Sequence, residues 1–256
     1  MTTLDGLMPL LNDTLMHGFI VFLRVAALAS MLPAFGEQSV PARIKLAVAI
    51  AFTAVIAPAV PVAARPDDAG GVVLFILTEI IAGLALGLGI RLFVLALQTA
   101  GSIAAQSTSL SQVLGGAAVD PMPAMGYILI IGGLALAVMA GLHVKAAQLI
   151  ILSYDFLPSG RFAGGADVAE WGVRQVAQAF SLAFTLAAPF VILSVLYNFA
   201  LGAINKAMPQ LMVAFVGAPV ITAGGLFLLL VSAPSILAVW LQSLDVFMRT
   251  PFGGGP

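Results

Sequence analysis

The chain has 256 residues, of which 61% are hydrophobic and only 8% are charged, and its formal net charge is −1. A soluble domain carries about a quarter charged residues, so too few polar side chains are present here to coat a water-facing surface. Lipid or other protein must therefore surround most of the chain. The lack of a clustered cationic face argues against nucleic-acid binding.

The side chains that most enzymes and metal centres use are scarce. The absence of cysteine excludes disulfides, thiolate catalysis and Cys-ligated metals. The two histidines, His17 and His143, are too few for a multi-His metal site within one chain. No zincin, nucleophile-elbow or phosphate-loop motif occurs. We therefore expect neither enzymatic activity nor a metal or cofactor.

The N-terminus does not have the pattern of a secretory signal peptide, which begins with a positively charged region. The first basic residue is Arg24, inside the first apolar run, and Asp5 and Asp13 precede it.

Six apolar runs follow one another, each about as long as the roughly 20 residues that cross a bilayer as a helix. No period-2 alternation indicates strands, and a barrel would need many short alternating segments. The sequence therefore predicts an all-α membrane protein with about six apolar helices arranged as helical hairpins. The runs are Thr14–Leu32, Ile44–Ala64, Val72–Thr99, Ala124–Leu152, Val176–Phe199 and Leu211–Leu241.

Three of these runs are too long for a simple membrane span. As one helix, Val72–Thr99 would be about 42 Å long, against a hydrocarbon core of about 30 Å. Ala124–Leu152 and Leu211–Leu241 overshoot similarly, and tilt absorbs only part of the excess. We expect broken or kinked helices, or helices that leave the lipid for a protein environment. The residues expected to interrupt the last run are Pro219, Gly224, Gly225 and Pro234.

The stretch Gly101–Pro123 differs from the rest of the chain, because it is small, hydroxylated and uncharged until Asp120. It is too polar for lipid contact and too uncharged for an ordinary exposed loop. Such backbone is tolerated at membrane depth only when it is buried in protein or lines a cavity. On physical grounds a pore-lining or gating element and a neutral surface loop are equally good interpretations.

Small residues recur at every fourth position in three rows, and this spacing places each row on one helix face. Glycine and alanine there permit the close backbone approach by which membrane helices associate. Chance is the alternative, since the chain is rich in both residues. We expect helix packing along the rows, within the chain or with partners. They are Gly83, Gly87 and Arg91, with Glu79 a turn before; Gly133, Ala137, Gly141 and Lys145; and Asn198, Gly202 and Lys206.

Four charged residues, Arg24, Glu79, Arg91 and Lys145, lie inside apolar runs. A charge at the bilayer centre costs about 2.5–3.5 kcal/mol on insertion scales. Glu79 and Arg91 are about 18 Å apart along one straight helix, so each needs another partner or a wet environment. We favour structural pairing between helices, or snorkelling near helix ends. A proton or ion relay is the alternative, but it lacks the usual series of paired carboxylates.

Three stretches together resemble one family. They are Leu196–Thr222, reading LYNFALGAINKAMPQLMVAFVGAPVIT; His143–Gly160, reading HVKAAQLIILSYDFLPSG; and the region ending in Val119-Asp120-Pro121. This combination resembles the flagellar biosynthetic protein FliR family, whose injectisome relatives are the T components of type III export gates. The resemblance covers nearly the whole chain, including the number and order of apolar runs.

The resemblance implies a subunit of a hetero-oligomeric export gate in the bacterial inner membrane, at the flagellar basal body. Family members assemble with FliP and FliQ into a closed conical helical complex that FlhB wraps, and the gate itself is not an enzyme. FlhA supplies the ring below, and unfolded flagellar proteins pass through the centre. For this chain the resemblance implies a single membrane-embedded export-gate domain over 1–256, with a FliP-like part over about 1–170 and a FliQ-like helix pair over 171–250. The Gly/Pro-rich composition of residues 251–256 predicts a disordered tail.

The resemblance also implies roles for two groups of residues. The first falls in the stretch that family members use as a plug inside the pore, and the second lies at the tip of the FliQ-like helix pair, near FlhB. The plug residues are Gln106, Ser107, Thr108, Ser109, Leu110, Ser111, Gln112, Val113 and Leu114, and the tip residues are Asn205, Lys206, Pro209 and Gln210.

Two other classes of function stay open at this point. A stand-alone small-solute or ion transporter would purify by itself and catalyse flux, whereas a gate subunit would be recovered with FliP and FliQ. An intramembrane enzyme would need a reactive cluster that the sequence does not display.

Overall fold

The structure is a computed structural model that describes residues 2–37, 40–61, 68–108, 124–161, 164–208 and 213–253. Within these ranges every long element is an α-helix and no strand occurs, which confirms the all-α prediction. The helices are α1 (Thr2–Met31), α2 (Ala42–Ile56) with a 3-10 turn (Ala57–Ala59), α3 (Ala69–Ser107), α4 (Ala124–Met139), α5 (Leu142–Phe156), α6 (Gly165–Ala207) and α7 (Val213–Arg249).

Five of these helices are long and apolar enough to cross a membrane, and the α4–α5 pair makes a sixth if it counts as one broken span. This number agrees with the six apolar runs of the sequence. The five are Asn12–Met31, Ala42–Ala59, Ala69–Ser107, Gly165–Ala207 and Pro219–Arg249. The chain is therefore an all-α membrane protein.

Two helices extend well beyond the apolar runs that predicted them. α3 continues to Ser107, so the first seven residues of the polar Gly101–Pro123 stretch are helical. At the end of this helix the Ser107 hydroxyl donates to the Ala104 carbonyl at 2.8 Å. α6 begins at Gly165, inside the predicted connection Leu157–Arg174, and its polar first turns gave no hydropathy signal. Asp167 in the first turn favours this helix end, because it complements the positive end of the helix dipole.

Of the three overlong runs, only one is broken among the described residues. The run Ala124–Leu152 is broken before α5, where Gly141 has a φ of +80° that residues with a side chain rarely adopt. The expected interruption of the last run is wrong, because Pro219 and Pro234 lie inside the continuous helix α7. A proline removes one backbone hydrogen bond but has a φ that a helix accepts, so the helix passes through it.

The helices build two compact units. The first consists of residues 1–92, 138–175 and 244–256, and the second of residues 93–137 and 176–243. Helices α3, α4, α6 and α7 each contribute residues to both. The division near residue 170 that the resemblance implies concerns likeness to other subunits, and it stays a prediction.

In the first unit, α1 packs closely against α3 along the row Gly83–Gly87. A Cβ atom at Gly83 would overlap the carbonyl oxygen of Arg24, and one at Gly87 would lie 2.8 Å from the Cβ of Met31. Only a residue without a side chain permits this approach. This row therefore packs helix against helix, as predicted.

In the second unit, α3 meets α4 and α7 in a similar way. A Cβ atom at Gly133 would lie 2.5 Å from the side chain of Leu97 and 3.4 Å from that of Trp240. The indole Nε1 of Trp240 donates to the carbonyl of Phe93 at 2.8 Å. The second small-residue row thus packs at Gly133, but the helix break at Gly141 prevents it from continuing along one face.

The third row makes no close helix contact among the residues that the structure describes. Asn198, Gly202 and Lys206 are exposed, and a Cβ atom at Gly202 would meet nothing within 4 Å. The end of α6 does contact α7, since Gly217 lies against Tyr197 and Leu201. The two helices therefore form a hairpin whose outer face carries the unpartnered row.

Candidate functional site

A fully buried ion pair joins α1 to α3 in the first unit. Arg24 Nε donates to Glu79 Oε2 at 2.8 Å, and Arg24 Nη2 donates to Glu79 Oε1 at 3.1 Å. Both side chains are shielded from solvent, with exposed fractions of 1% and 0%. A guanidinium and a carboxylate that meet through two parallel hydrogen bonds have the strongest geometry available to this pair.

Helix α5 completes the surroundings of the pair. Arg24 Nη1 donates to Ser153 Oγ at 2.9 Å, and Nη2 donates to the Leu157 carbonyl at 2.8 Å. The Tyr154 ring stacks on the guanidinium with its centroid 3.8 Å from Cζ, and its hydroxyl donates to Glu79 Oε2 at 3.3 Å. We call these five residues the Arg24 cluster. It links three helices and leaves neither charge uncompensated, which is the arrangement of a structural pair.

The other two charged residues of the apolar runs have different surroundings. Lys145 Nζ donates to Asp245 Oδ1 at 2.6 Å, and the two side chains are 26% and 30% exposed. This pair joins α5 to α7 within the first unit. Arg91 is half-buried and forms no ion pair with any residue that the structure describes.

Three side chains that pair with the buried charges were not identified from the sequence: Ser153 and Tyr154 of the Arg24 cluster, and Asp245, the partner of Lys145. Ser153 and Tyr154 are uncharged, so the search for buried charges passed over them, although they lie in the resembling stretch His143–Gly160. Asp245 follows the last apolar run and therefore had no reason to be counted as a buried charge.

The predicted plug residues begin at the end of α3. Gln106 and Ser107 belong to its last turn, and Thr108 follows it as a buried residue. The Thr108 hydroxyl donates to the Ala104 carbonyl at 2.9 Å. Ser109 to Leu114 lie outside the described residues, as do Asp120 and Pro121.

The predicted tip residues lie around the end of α6. Asn205 and Lys206 are in its last turn and are exposed, and the Lys206 ammonium there complements the negative end of the helix dipole. Pro209 and Gln210 lie outside the described residues. The structure thus brings no second group of this chain onto the tip residues that it describes.

The hairpin of α6 and α7 exposes a large apolar surface. No residue between Val191 and Met208 is buried. We call Val191–Met208 the outer segment of α6. Large apolar side chains that are exposed along α6 in the second unit are Val176, Phe180, Phe184, Val191, Ile192, Val195, Leu196, Phe199, Ile204 and Met208.

The known proteins that this chain resembles in sequence all have names that refer to bacterial export or to FliR. The family model described as bacterial export proteins, family 1, matches residues 15–246. A flagellar biosynthetic protein FliR from Caulobacter vibrioides is 35% identical over 236 residues, which cover 89% of this chain and 94% of the relative. FliR from Escherichia coli is 31% identical over 227 residues, which cover 85% and 84%. FliR from Bacillus subtilis is 26% identical over 239 residues, which cover 90% and 91%.

The family model covers nearly every helix described above. Five or six of these helical segments are candidate membrane spans. The chain belongs to the bacterial export proteins, family 1, the family of FliR, and it is a membrane-embedded component of the flagellar export apparatus.

Proposed function

We propose that this chain is a subunit of the flagellar type III export gate, where it forms with FliP and FliQ the closed pore through which unfolded flagellar proteins are secreted. It acts there as a structural subunit of the bacterial inner membrane, at the flagellar basal body, and not as an enzyme. FlhB and FlhA are its further partners. The names of its relatives and of its family support this assignment.

The observation that carries the proposal is the length of the exposed apolar face of α6. Exposed apolar side chains run from Val176 to Met208, a distance of about 48 Å along a helix. A helix tilted by about 40°, the upper end of the usual range, would still project about 37 Å of this face across a hydrocarbon core of about 30 Å. The hydrocarbon core alone cannot cover this face, and we infer that part of it contacts other proteins.

The outer segment of α6 is where such a contact fits best. None of the residues in this segment is buried by its own chain, and Phe199 is 79% exposed. The row Asn198, Gly202 and Lys206 runs along it and lets another helix approach the backbone closely. In the proposed gate we therefore place helices of FliP or FliQ on this surface.

In the proposed gate, the segment Gln106–Leu114 seals the pore when no substrate is present. Its side chains are small, hydroxylated and uncharged, which suits a seal that can part without leaving charges unpaired. The helices on either side of it pack closely, because a Cβ atom at Gly101 of α3 would overlap the backbone of Gly126 in α4. The exposed tip residues Asn205 and Lys206 lie free for contact with FlhB.

Co-expression tests the assembly. We expect the chain to be recovered in a complex with FliP and FliQ and to be unstable without them. Phe199→Asp should abolish this co-purification, because a carboxylate on the outer segment cannot be buried against an apolar partner. Phe199→Leu keeps the surface apolar and is the matched control.

Two outcomes would contradict the proposal. One is a Phe199→Asp chain that co-purifies with FliP and FliQ as well as the unchanged chain does. The other is an isolated chain that is stable by itself and transports solutes in liposomes, which would favour the stand-alone transporter.

A further inference from the structure

The end of α3 is fixed to α7 in the second unit, at the point where the chain enters the predicted plug. Thr108 is only 2% exposed, although it follows the last helical residue. The last carbonyl groups of a helix have no backbone partner within it. Here the Thr108 carbonyl accepts a hydrogen bond from Thr222 Oγ1 of α7, at 3.3 Å. A side chain of α7 therefore caps the end of α3.

A glycine of α7 makes this contact possible. A Cβ atom at Gly225 would lie 2.6 Å from Thr108 Cγ2 and 2.8 Å from Thr108 Cβ, which is closer than real Cβ contacts occur. The neighbouring Gly224 differs, because the nearest atom to a Cβ there would be Leu193 Cδ2, at 4.0 Å. Of these two adjacent glycines, only Gly225 is required by the contact with Thr108.

The other end of the segment is held close by. Thr108 Oγ1 lies 4.0 Å from the sulfur of Met125, in the first turn of α4, and Met125 is buried. Gly101 and Gly126 bring the same two helices into backbone contact. The residues on both sides of the stretch 109–123 are thus packed together within the second unit, and α7 contributes the hydrogen bond that ends α3.

We propose that Thr108, Thr222 and Gly225 form an anchor that holds the beginning of the plug segment against α7 in the closed gate. This inference rests on the proposed function, since it assigns to α7 the task of positioning the seal. Thr222 and Gly225 are positioning residues that act through Thr108. An ordinary packing contact would change only folding and assembly, whereas an anchor also controls the ion leak of a gate that has assembled normally.

The test compares two adjacent alanine variants in the gate assembled with FliP and FliQ. Ion conductance is measured without export substrate and is divided by the amount of assembled complex. We expect Gly225→Ala to raise the resting conductance at least several-fold, because the added methyl group displaces Thr108. Gly224→Ala should leave it unchanged. Assembled Gly225→Ala gates with normal conductance would overturn the inference.

A second pair of variants covers the case in which Gly225→Ala does not assemble. Thr222→Val removes the donor to the Thr108 carbonyl with little change of shape, and Thr222→Ser keeps it. We expect a raised resting conductance for Thr222→Val and a normal one for Thr222→Ser. Equal conductance of the two variants would count against the anchor.

Deletion of Ser109–Leu114 separates the anchor from the seal itself. If the deletion raises conductance while Gly225→Ala and Thr222→Val do not, the anchor is wrong and the seal stands. If the deletion leaves conductance unchanged, the proposed seal is wrong and the anchor with it.

Cross-linking gives a readout that does not depend on conductance. Because the chain has no cysteine, a Thr108→Cys/Thr222→Cys pair can be followed without background. We expect it to cross-link in the resting gate much faster than a Thr108→Cys/Ala223→Cys pair, since Ala223 lies about 100° further around the helix. Equal rates for the two pairs would overturn the inference.

Discussion

Arg24 and Glu79 are 55 residues apart in the chain, yet they form its most enclosed ion pair among the described residues. Burying two charges is expensive, and their attraction compensates for this only when the geometry is good and the remaining donors are satisfied. Here Ser153, Tyr154 and the Leu157 carbonyl complete the set. The pair therefore holds three helices in one arrangement and does not by itself make the protein more stable than an apolar core would.

Removing only the charge of Glu79 should therefore strongly reduce the stability of the fold. Glu79→Gln keeps the shape of the side chain but leaves the Arg24 guanidinium buried without its counter-charge, which should destabilise the fold by about 3–5 kcal/mol. Thermal unfolding of the assembled complex measures the loss. Lys145→Gln is the control, since its pair is partly exposed and should contribute about 1 kcal/mol or less. Equal effects of the two variants would contradict the assignment.

A second prediction concerns the closest helix contact of the first unit. Gly83→Ala places a methyl group against the Arg24 carbonyl, and because this neighbour is backbone, the helices must separate at a cost of about 1–3 kcal/mol. Gly18→Ala in α1 meets nothing within 4 Å and should be neutral or stabilising, as alanine favours helix. Comparison of their unfolding temperatures checks this, and a Gly83→Ala chain as stable as the unchanged one would refute it.

At the scale of elements, the C-terminal residues are more ordered than their composition indicates. The sequence predicts a disordered tail over 251–256, but Pro251 is buried and its carbonyl accepts a hydrogen bond from Trp171 Nε1 at 2.7 Å. The Phe252 ring lies 5.5 Å from that of Phe156 and 5.7 Å from that of Trp171. Residues 251–253 thus cover the beginning of α6, while 254–256 lie outside the described residues.

Two truncations test whether residues 251–253 stabilise the beginning of α6. Deletion of residues 251–256 removes the acceptor of Trp171 and the aromatic contacts, and should destabilise the first unit by about 1–3 kcal/mol. Deletion of residues 254–256 alone should have no measurable effect. Fluorescence of the two tryptophans reports the change, with Trp171 becoming more exposed to solvent in the longer truncation only. Identical spectra for both truncations would show that the tail has no such role.

At the scale of the whole molecule, the helices are longer than one bilayer requires. α6 has 43 residues and α3 has 39, which correspond to about 64 Å and about 58 Å. Such lengths are reasonable for a subunit that continues from lipid into a protein assembly, and they explain how charged and polar positions persist in so apolar a chain. Lipid or partner proteins outside the chain must cover the exposed apolar face of α6.

Photo-cross-linking can divide this face between lipid and protein. Val176 and Met208 are about 48 Å apart along α6, so they cannot both contact the hydrocarbon core. With a photoreactive residue at each position in turn, we expect at least one to cross-link to a partner subunit in the assembled gate. Lipid adducts alone at both positions would contradict the argument from length.

The sequence by itself determined the class of the protein, because backbone in lipid must satisfy its own hydrogen bonds and long apolar runs therefore form helices. It also determined the family through residues such as Asn205 and Lys206 and the pattern around them. It misjudged the start of α6, whose polar first turns carry no hydropathy signal. It also did not distinguish Gly141, which breaks a helix, from Pro219, which does not.

Only the tertiary structure decided which residues meet. Arg24 could be recognised as a charge that needs a partner, but its partners lie on helices far along the chain, and contacts of this kind follow from packing and not from local pattern. The same holds for Gly225, which resembles Gly224 in every local respect and differs only because Thr108 lies against it. Sequence fixes what a residue is able to do, and the neighbours that the fold supplies decide whether it does so.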